Sequence, residues 1–217
     1  EFDVPGRMLF EHGVNRTGNI FVPNDRFAYF DKFMQTFLAD IYKKQKEQGT
    51  IFCPKDLNRE LGLAINDESS ILYWAAKNDI PIFCPGIIDG SLGDMIYFFK
   101  QTHKDFILDV SKEIKDIVNI ALNSEKTGGI LLGGGISKHF TLNANIFREG
   151  FDYVVYINTA QEFDGSDSGA RVEEAITWGK VKVNAPHVKI YCDATLAFPL
   201  LVAGGFAVED DVNNKGN

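Results

Sequence analysis

The fold is decided by a stretch in the middle of the chain, Gly129-Ile-Leu-Leu-Gly-Gly-Gly-Ile-Ser-Lys-His139. An apolar run of strand length leads directly into three glycines, and a helical pattern over residues 138–148 follows. Similar apolar runs occupy residues 80–84, 153–157 and 188–192. Because these runs lack polar alternation and are separated by helical segments, they predict an α/β fold, Rossmann-like and doubly wound, with a mainly parallel sheet and helices on both faces.

Helical spacing of apolar side chains predicts the remaining elements. The longest helix is expected over residues 24–48, with Asn24 as its N-cap and Gly49 at its end. Further helices are expected after Pro54, over residues 69–77 with Asn66 or Asp67 as the cap, and over residues 173–178 and 194–208. Residues 105–123 are predicted to be strand or helix and to end in an amphipathic helix. The polar clusters of the chain follow directly after predicted strands, which is where ligands bind on parallel sheets.

Composition excludes several classes of protein. The 217 residues carry 22 Lys and Arg against 30 Asp and Glu, a net charge of −8, which argues against nucleic acid as a partner because phosphate neutralisation supplies most of that affinity. No apolar run is long enough to predict a membrane span, and no secretory signal pattern is present. Cys53, Cys84 and Cys192 form no CxxC pair, so we expect reduced thiols in a reducing compartment and no metal site.

The three glycines allow two interpretations. A backbone without side chains can approach a ligand closely, and the following helix would present its N-terminal amides to a cofactor phosphate. The pattern is neither GxGxxG nor a P-loop, so a tight turn that needs positive φ explains it as well. His139 lies near this helix N-terminus, where the dipole lowers the pKa of an imidazole. A neutral imidazole there could bind a substrate amine, and a surface histidine without a role is the alternative.

Two polar loops each follow an apolar run. Residues 85–94 hold three glycines and two carboxylates, which an ordinary turn with Asx hydrogen bonds would also explain. Residues 158–171 are too long and polar for a plain connector and place Glu162, Asp164 and Asp167 within six positions. These carboxylates would repel one another unless a buried partner or a cation relieved them, the cation being a metal ion, a polyamine or a lysine-bearing partner.

Lys180 follows a tryptophan and a glycine, Trp178 and Gly179. A bulky ring beside the amine would desolvate it, desolvation lowers the pKa of a lysine, and a deprotonated amine is what Schiff-base chemistry requires. A solvated surface charge is the ordinary explanation for a single lysine. Lys180 therefore needs support from the neighbouring segments.

Those segments together resemble the deoxyhypusine synthase family. The resemblance is carried by residues 158–171, by Thr177-Trp-Gly-Lys180, by Asp89-Gly-Ser-Leu-Gly-Asp94 and by Leu132-Gly-Gly-Gly135 with Lys138-His139, and it extends over nearly the whole chain. It implies a single α/β domain over residues 1–217 that lacks the family's N-terminal portion. That portion would be cleaved and retained as a second associated polypeptide, disordered or deleted. The resemblance also implies a cytoplasmic homotetramer with active sites at dimer interfaces.

The resemblance further implies an NAD-dependent aminobutyltransferase. Family members use NAD to oxidise and cleave spermidine, and they hold the butylimine on a lysine, which here is Lys180. The aminobutyl group then passes to a lysine of the precursor of translation initiation factor 5A, the first step of hypusine biosynthesis. The polyamine contacts carried over are Asp94, His139, Gly165, Ser166, Asp167, Glu174, Trp178 and Lys180, with His139 as the candidate base. The NAD contacts carried over are Asp89, Gly134, Thr159, Ala160, Asp164, Asp193 and Ala194.

One departure and two other hypotheses accompany this interpretation. Phe140 stands where the family often has a second histidine, so a proton relay through that position is not carried over. A catalytically inactive or regulatory paralog subunit of a hetero-oligomer would be expected to lose the nucleophile, whereas Lys180, Asp94 and Trp178 are retained. A generic NAD dehydrogenase is disfavoured because no GxGxxG follows a strand.

Overall fold

The computed structural model describes residues 2–206 and divides the chain into two compact units. The first unit comprises Glu1–Ile82 and Gly86–Asp109, and the second comprises Phe83–Pro85 and Val110–Asn217. The single domain expected over residues 1–217 stays a prediction. No helix among residues 2–206 is long and apolar enough to cross a membrane.

The first unit is mainly helical. Its elements are α1 (Gly6–Glu11), a hairpin of antiparallel strands β1 (Val14–Thr17) and β2 (Ile20–Pro23), and the helices α2 (Asp25–Gln48), α3 (Pro54–Ile65), α4 (Ile71–Lys77) and α5 (Ser91–Thr102). The predicted long helix is confirmed: it buries the stripe Met34, Phe37, Leu38 and Ile41, and Gly49 ends it in the left-handed conformation. Asn24 precedes it without a side-chain cap hydrogen bond.

The strand predicted over residues 80–84 is wrong. This segment is irregular, and its backbone groups find partners in the chain around them rather than in a neighbouring strand. The Ile80 N–H donates to the Ala75 carbonyl at 2.8 Å, and the Asn58 side-chain amide donates to the Ile82 carbonyl at 3.0 Å. Pro81 and Pro85 have no N–H to contribute to a ladder, so apolar composition alone is insufficient to form a strand here.

The second unit is built on a parallel sheet. Its elements are α6 (Ser111–Asn123), β3 (Gly128–Leu132), α7 (Gly135–Ala144), β4 (Tyr153–Asn158), α8 (Val172–Thr177), β5 (His187–Tyr191) and α9 (Ala194–Gly205), with short 3₁₀ turns at Ile146–Arg148 and Glu162–Asp164. The strand order is β3-β4-β5, and both pairs are parallel. The predicted fold class, an α/β fold with a parallel sheet flanked by helices, is confirmed.

Strand β4 lies in the middle of this sheet and is its most buried strand. Val154, Tyr156 and Ile157 are almost completely buried, and Val154 and Tyr156 share a core cluster with Leu131, Leu142 and Val172. The register places Leu132 opposite Ile157 and Asn158 opposite Tyr191, so all three strands end at one edge. The three loops that follow the strands therefore begin side by side at this edge, which we call the carboxyl edge of the sheet.

Helix ends differ from the predictions where backbone conformation decides them. Asn66 does not cap the next helix but closes α3 with a φ of 45°, and Ser70 is the N-cap of α4. Helix α7 begins at the last of the three glycines rather than at Lys138. Asp193 caps α9, because its carboxylate accepts the Thr195 N–H at 2.8 Å. The predicted end of this last helix at Val208 lies outside the described residues.

Candidate functional site

The three glycines after β3 form a tight turn that packs against the loop after β4. Gly133 and Gly135 have φ values of 78° and 69°. A Cβ on Gly134 would lie 2.5 Å from the Ser168 side chain, so only glycine fits this close approach. The Gly135 N–H donates to Ser168 Oγ at 2.8 Å. The tight turn is confirmed, and one amide that we expected to face an anion faces a serine hydroxyl.

We call residues 158–171 the acidic loop. Among residues 2–206, side-chain partners bond one of its three carboxylates, that of Glu162. Glu162 accepts hydrogen bonds from the Tyr191 hydroxyl and, at 2.7 Å, from Arg171 Nε. The Lys189 ammonium lies 3.8 Å from the same oxygen. These contacts, the Tyr191 hydrogen bond first, lower the pKa of Glu162 to about 2. The predicted repulsion is therefore relieved at Glu162, while Asp164 is exposed and Asp167 half-buried.

Lys180 is buried at the end of α8, with only 6% of its surface exposed. Its N–H donates to the Ala175 carbonyl at 2.9 Å, and its carbonyl accepts the Phe151 N–H at 3.0 Å. Gly179, with a φ of 69°, allows the chain to turn between α8 and this position. The Trp178 ring is 66% exposed, and its centroid lies 5.8 Å from Lys180 Nζ. The amine thus has a core environment and an aromatic wall beside it.

A small cavity of about 10 Å³ brings Lys180 together with charged side chains of the loop and helix. It is lined by Lys138, Leu142, Tyr156, Asp167, Ala170, Arg171, Glu174, Ala175 and Lys180. Burial lowers the pKa of Lys138, an effect that the charges of Asp167 and Glu174 oppose. Burial, with the same two carboxylates, raises the pKa of Tyr156 above its ordinary value. Asp167, Glu174 and Lys180 are therefore neighbours in one charged pocket.

The chain is similar to known proteins over almost its whole length. Residues 1–204 match the profile of the family described as deoxyhypusine synthase. The chain is 52% identical over 211 residues to the deoxyhypusine synthase of Senecio vernalis and 51% identical over 213 residues to that of Arabidopsis thaliana. These matches cover 96% and 97% of the chain. The chain belongs to the deoxyhypusine synthase family.

The solved structures extend this likeness to three dimensions. The crystal structure of an Entamoeba histolytica protein described as a deoxyhypusine synthase superposes with a TM-score of 0.68 at 31% sequence identity, covering 86% of this chain and 58% of that chain. The chain spans 57% and 58% of the lengths of the Senecio and Arabidopsis relatives. The predicted family is confirmed, and the activity of the whole protein remains a matter for proposal.

The second unit holds most of the family contacts that the resemblance carries over. Besides the pocket residues, Gly165 and Ser166 are exposed in the acidic loop. His139 is exposed on α7, and its ring accepts from the Asn143 amide at 3.3 Å. The positions carried over for NAD lie after the strands: Gly134 after β3, Thr159, Ala160 and Asp164 after β4, and Asp193 and Ala194 after β5. The roles of these residues stay predictions.

Asp89 and Asp94 belong to the first unit of the chain. Asp89 is exposed in the turn before α5, and its N–H donates to the Gly86 carbonyl at 2.9 Å. Asp94 is exposed in the first turn of α5, and its N–H donates to the Gly90 carbonyl at 3.1 Å. The loop shape expected for residues 85–94 is present, and the ligand roles of both carboxylates stay predictions.

Sequence reasoning missed two lysines that hold the acidic loop, Lys138 and Lys189. Lys138 lies one helical turn before Leu142, on the face of α7 that is buried, and Lys189 lies in the middle of an apolar strand. A lysine at an apolar position was a usable signal, because a buried ammonium requires hydrogen-bond partners. Among residues 2–206, no group of three or more His, Cys, Asp or Glu side chains is placed to hold a metal ion.

Proposed function

We propose that this chain carries the imine-forming site of an NAD-dependent deoxyhypusine synthase that cleaves spermidine and transfers its aminobutyl group to a lysine of the translation initiation factor 5A precursor. One observation supports this above the others. The buried Lys180 shares a pocket with Asp167 and Glu174, so a nucleophilic amine and two anionic groups meet at one place. A polycation that must react with an amine needs that combination.

The two carboxylates would bind the ammonium groups of the polyamine. Neither Asp167 nor Glu174 forms an ion pair with any side chain of residues 2–206, so both can accept charge-assisted hydrogen bonds from a ligand. Trp178 would cover the methylene chain and attract a cationic nitrogen through its ring face. The aminobutyl end would thereby be held against Lys180.

Lys180 would act as the covalent carrier. Its neutral amine attacks the imine carbon of the oxidised polyamine, a new C–N bond forms to Nζ, and the bond to the departing 1,3-diaminopropane breaks. Both Nζ protons pass to the nitrogen of the departing diamine, so Lys180 is left as the imine. The same exchange then moves the aminobutyl group to the amine of the acceptor lysine, and that imine is finally reduced by return of the hydride taken from spermidine.

The residues at the carboxyl edge of the sheet fit NAD. Dinucleotides bind parallel sheets at this edge, where the segments after β3, β4 and β5 supply Gly134, Thr159, Asp164 and Asp193. The exposed carboxylates of Asp164 and Asp193 have the chemistry to bind ribose hydroxyls. When bound, NAD supplies the acceptor of the hydride taken from spermidine. His139, exposed on α7, would take the proton that the oxidised amine loses.

The proposal applies to the protein that contains this chain, because the curated relatives are longer. We include in it the homotetramer, the cytoplasmic location and a contribution of the family's N-terminal portion, all of which rest on the resemblance. The proposed contacts of Asp89 with NAD and of Asp94 with spermidine likewise rest on the resemblance.

Trapping the covalent intermediate tests the proposal. The protein is incubated with NAD and radiolabelled spermidine, reduced with borohydride, digested, and its labelled peptide is sequenced. We expect NAD-dependent label on Lys180 alone. Absence of label, or label on another lysine, would contradict the proposal, and absence of label in a protein that stimulates a related enzyme would favour the regulatory-subunit hypothesis.

A further inference from the structure

Four consecutive peptide carbonyls of the acidic loop accept hydrogen bonds from lysine side chains. Lys138 Nζ lies 2.5 Å from the Asp167 carbonyl and 3.4 Å from those of Ser168 and Ala170. Lys189 Nζ lies 2.5 Å from the remaining carbonyl, that of Gly169. The two ammonium groups come from different elements, α7 and β5. We call this arrangement the lysine clamp.

Both ammonium groups are enclosed. Lys138 is 4% exposed, and its Nζ lies 4.7 Å from the centroid of the Tyr156 ring. The Lys189 side chain is 7% exposed, and its Nζ lies 4.4 Å from the centroid of the Tyr191 ring. Burying an ammonium group is costly unless its protons are bonded. These positions are therefore specific cation sites rather than surface lysines that happen to lie near the loop.

The clamp acts on a segment that contains glycines. Gly165, which has a φ of 65°, precedes residues 167–170 and Gly169 lies within them, and glycine permits many backbone conformations. In helices and strands, backbone N–H groups donate to the backbone carbonyls. In residues 167–170, lysine ammonium groups also donate to these carbonyls. The position of the Asp167 carboxylate follows from the position of its peptide unit, and that unit is held by Lys138 at 2.5 Å.

We propose that Lys138 and Lys189 are positioning residues for the polyamine: they fix the acidic loop so that Asp167 points its carboxylate into the pocket of Lys180. This inference rests on the proposed function for its substrate. Lys138 lines the pocket itself, but it has three acceptors for its three protons and is not a second nucleophile. Its role is exerted through the loop.

The test compares Lys138→Met and Lys189→Met with Lys182→Met in the intact protein. Lys182 is a matched control, because its ammonium bonds the Asp152 carboxylate at 2.5 Å in the same unit but does not contact the acidic loop. We expect the KM for spermidine to rise about tenfold in both clamp variants and the KM for NAD to change less than about twofold, since each lost bond involves a charged donor. We expect Lys189→Arg to restore the spermidine KM, because it returns a cation to the site.

Hydrogen–deuterium exchange provides a readout that does not depend on the activity. Peptides spanning residues 162–171 should exchange faster in Lys189→Met than in the wild type, and at the wild-type rate in Lys182→Met. If Lys138→Met does not fold, the Lys189→Met and Lys189→Arg pair decides the question alone.

Three outcomes would overturn the inference. One is an unchanged spermidine KM in Lys189→Met, the second is an equal rise in the KM of both ligands, and the third is loop exchange at the wild-type rate. Failure of the proposed function looks different, because the wild type would then form no imine. The exchange comparison would still report whether the lysines hold the loop.

Discussion

The two ends of strand β4 use charged side chains in opposite ways. Before the strand, the Asp152 carboxylate accepts from Arg148 at 2.9 Å, from Lys182 at 2.5 Å and from the Thr127 N–H at 2.9 Å. After the strand, cations bind backbone carbonyls, and Asp167 is left without an ion pair to any side chain of residues 2–206. The Asp152 carboxylate is fully bonded within the fold and stabilises it, whereas the Asp167 carboxylate stays available to a cationic ligand.

This difference explains which substitutions should affect stability and which should affect chemistry. The Arg148 side chain at the first end is 8% exposed and also bonds the carbonyls of Ser124, Glu125 and Gly150. Its Nε has no partner among residues 2–206, but its other donors are bonded within the chain. At the second end, the pocket carboxylates of Asp167 and Glu174 have no ion pair among residues 2–206 and can accept further hydrogen bonds. Substitutions at each end provide direct tests of the contrast.

The largest effect is expected from Lys180→Ala. The variant should form no borohydride-trapped intermediate and no product, because the carrier amine is gone, while its melting temperature and NAD binding stay near those of the wild type. Lys182→Ala is the control, since it removes a lysine two positions away at the other end of β4 and should still trap label. Full activity of Lys180→Ala would refute the covalent role.

Next in size is the effect of Asp152→Ala on stability. Removing this carboxylate leaves the buried Arg148 guanidinium without its anion, which should reduce the free energy of unfolding by roughly 3 kcal/mol. Chemical denaturation of wild type and variant measures this loss. Imine formation below the unfolding transition should be retained, and an unchanged unfolding free energy would show that the network does not stabilise the fold.

Asp167→Asn and Glu174→Gln should change the stability of the fold little. They should clearly weaken the binding of spermidine. Each substitution removes a charged acceptor for the polyamine, so the spermidine KM should rise about 10- to 100-fold. Their unfolding free energies should stay within about 0.5 kcal/mol of the wild type, since neither carboxylate is ion-paired in the chain. A large stability loss with an unchanged KM would reverse the contrast between the two ends.

The smallest effect concerns acid stability at Glu162. The folded pKa of this group is lowered from 4.5 to about 2 by Tyr191 and Arg171. It therefore contributes stability that is fully present above pH 4.5 and is lost as the pH falls towards 2. Unfolding measured across this range should show a weaker pH dependence in Glu162→Gln than in the wild type, and parallel curves would contradict the assignment.

The sequence predicted the part of the fold that depends on uninterrupted apolar runs. The runs at residues 129–132, 153–157 and 188–192 lie within one residue of β3, β4 and β5, because a buried parallel strand needs little more than apolar, branched side chains. The strand predicted over residues 80–84 did not form, because Pro81 within it has no N–H and because Ile80 and Ile82 bond Ala75 and Asn58 instead of a neighbouring strand. Apolar content predicts burial more reliably than it predicts hydrogen bonding.

The sequence identified individual residues of the candidate site, but it did not predict the contacts between them. Lys180 and the acidic loop were identified from their motifs, whereas the lysine clamp depends on contacts between α7, the loop and β5 that are 20 to 32 residues apart in sequence. The repulsion among the carboxylates was expected to be relieved by a buried partner or a cation, and the motif did not show that Glu162 alone would pair with Arg171 and Tyr191. Which carboxylates remain available is set by tertiary contacts, and a linear pattern does not contain them.

The contact between Gly134 and Ser168 has a consequence for how this sequence can vary. A methyl group at position 134 would lie 2.5 Å from the Ser168 side chain and 2.9 Å from its Cα, so a smaller residue at 168 would not make room for it. Alanine at 134 would require the backbone of the acidic loop to move, whatever residue stands at 168. Divergence between lineages should therefore keep glycine at this position of the turn after β3.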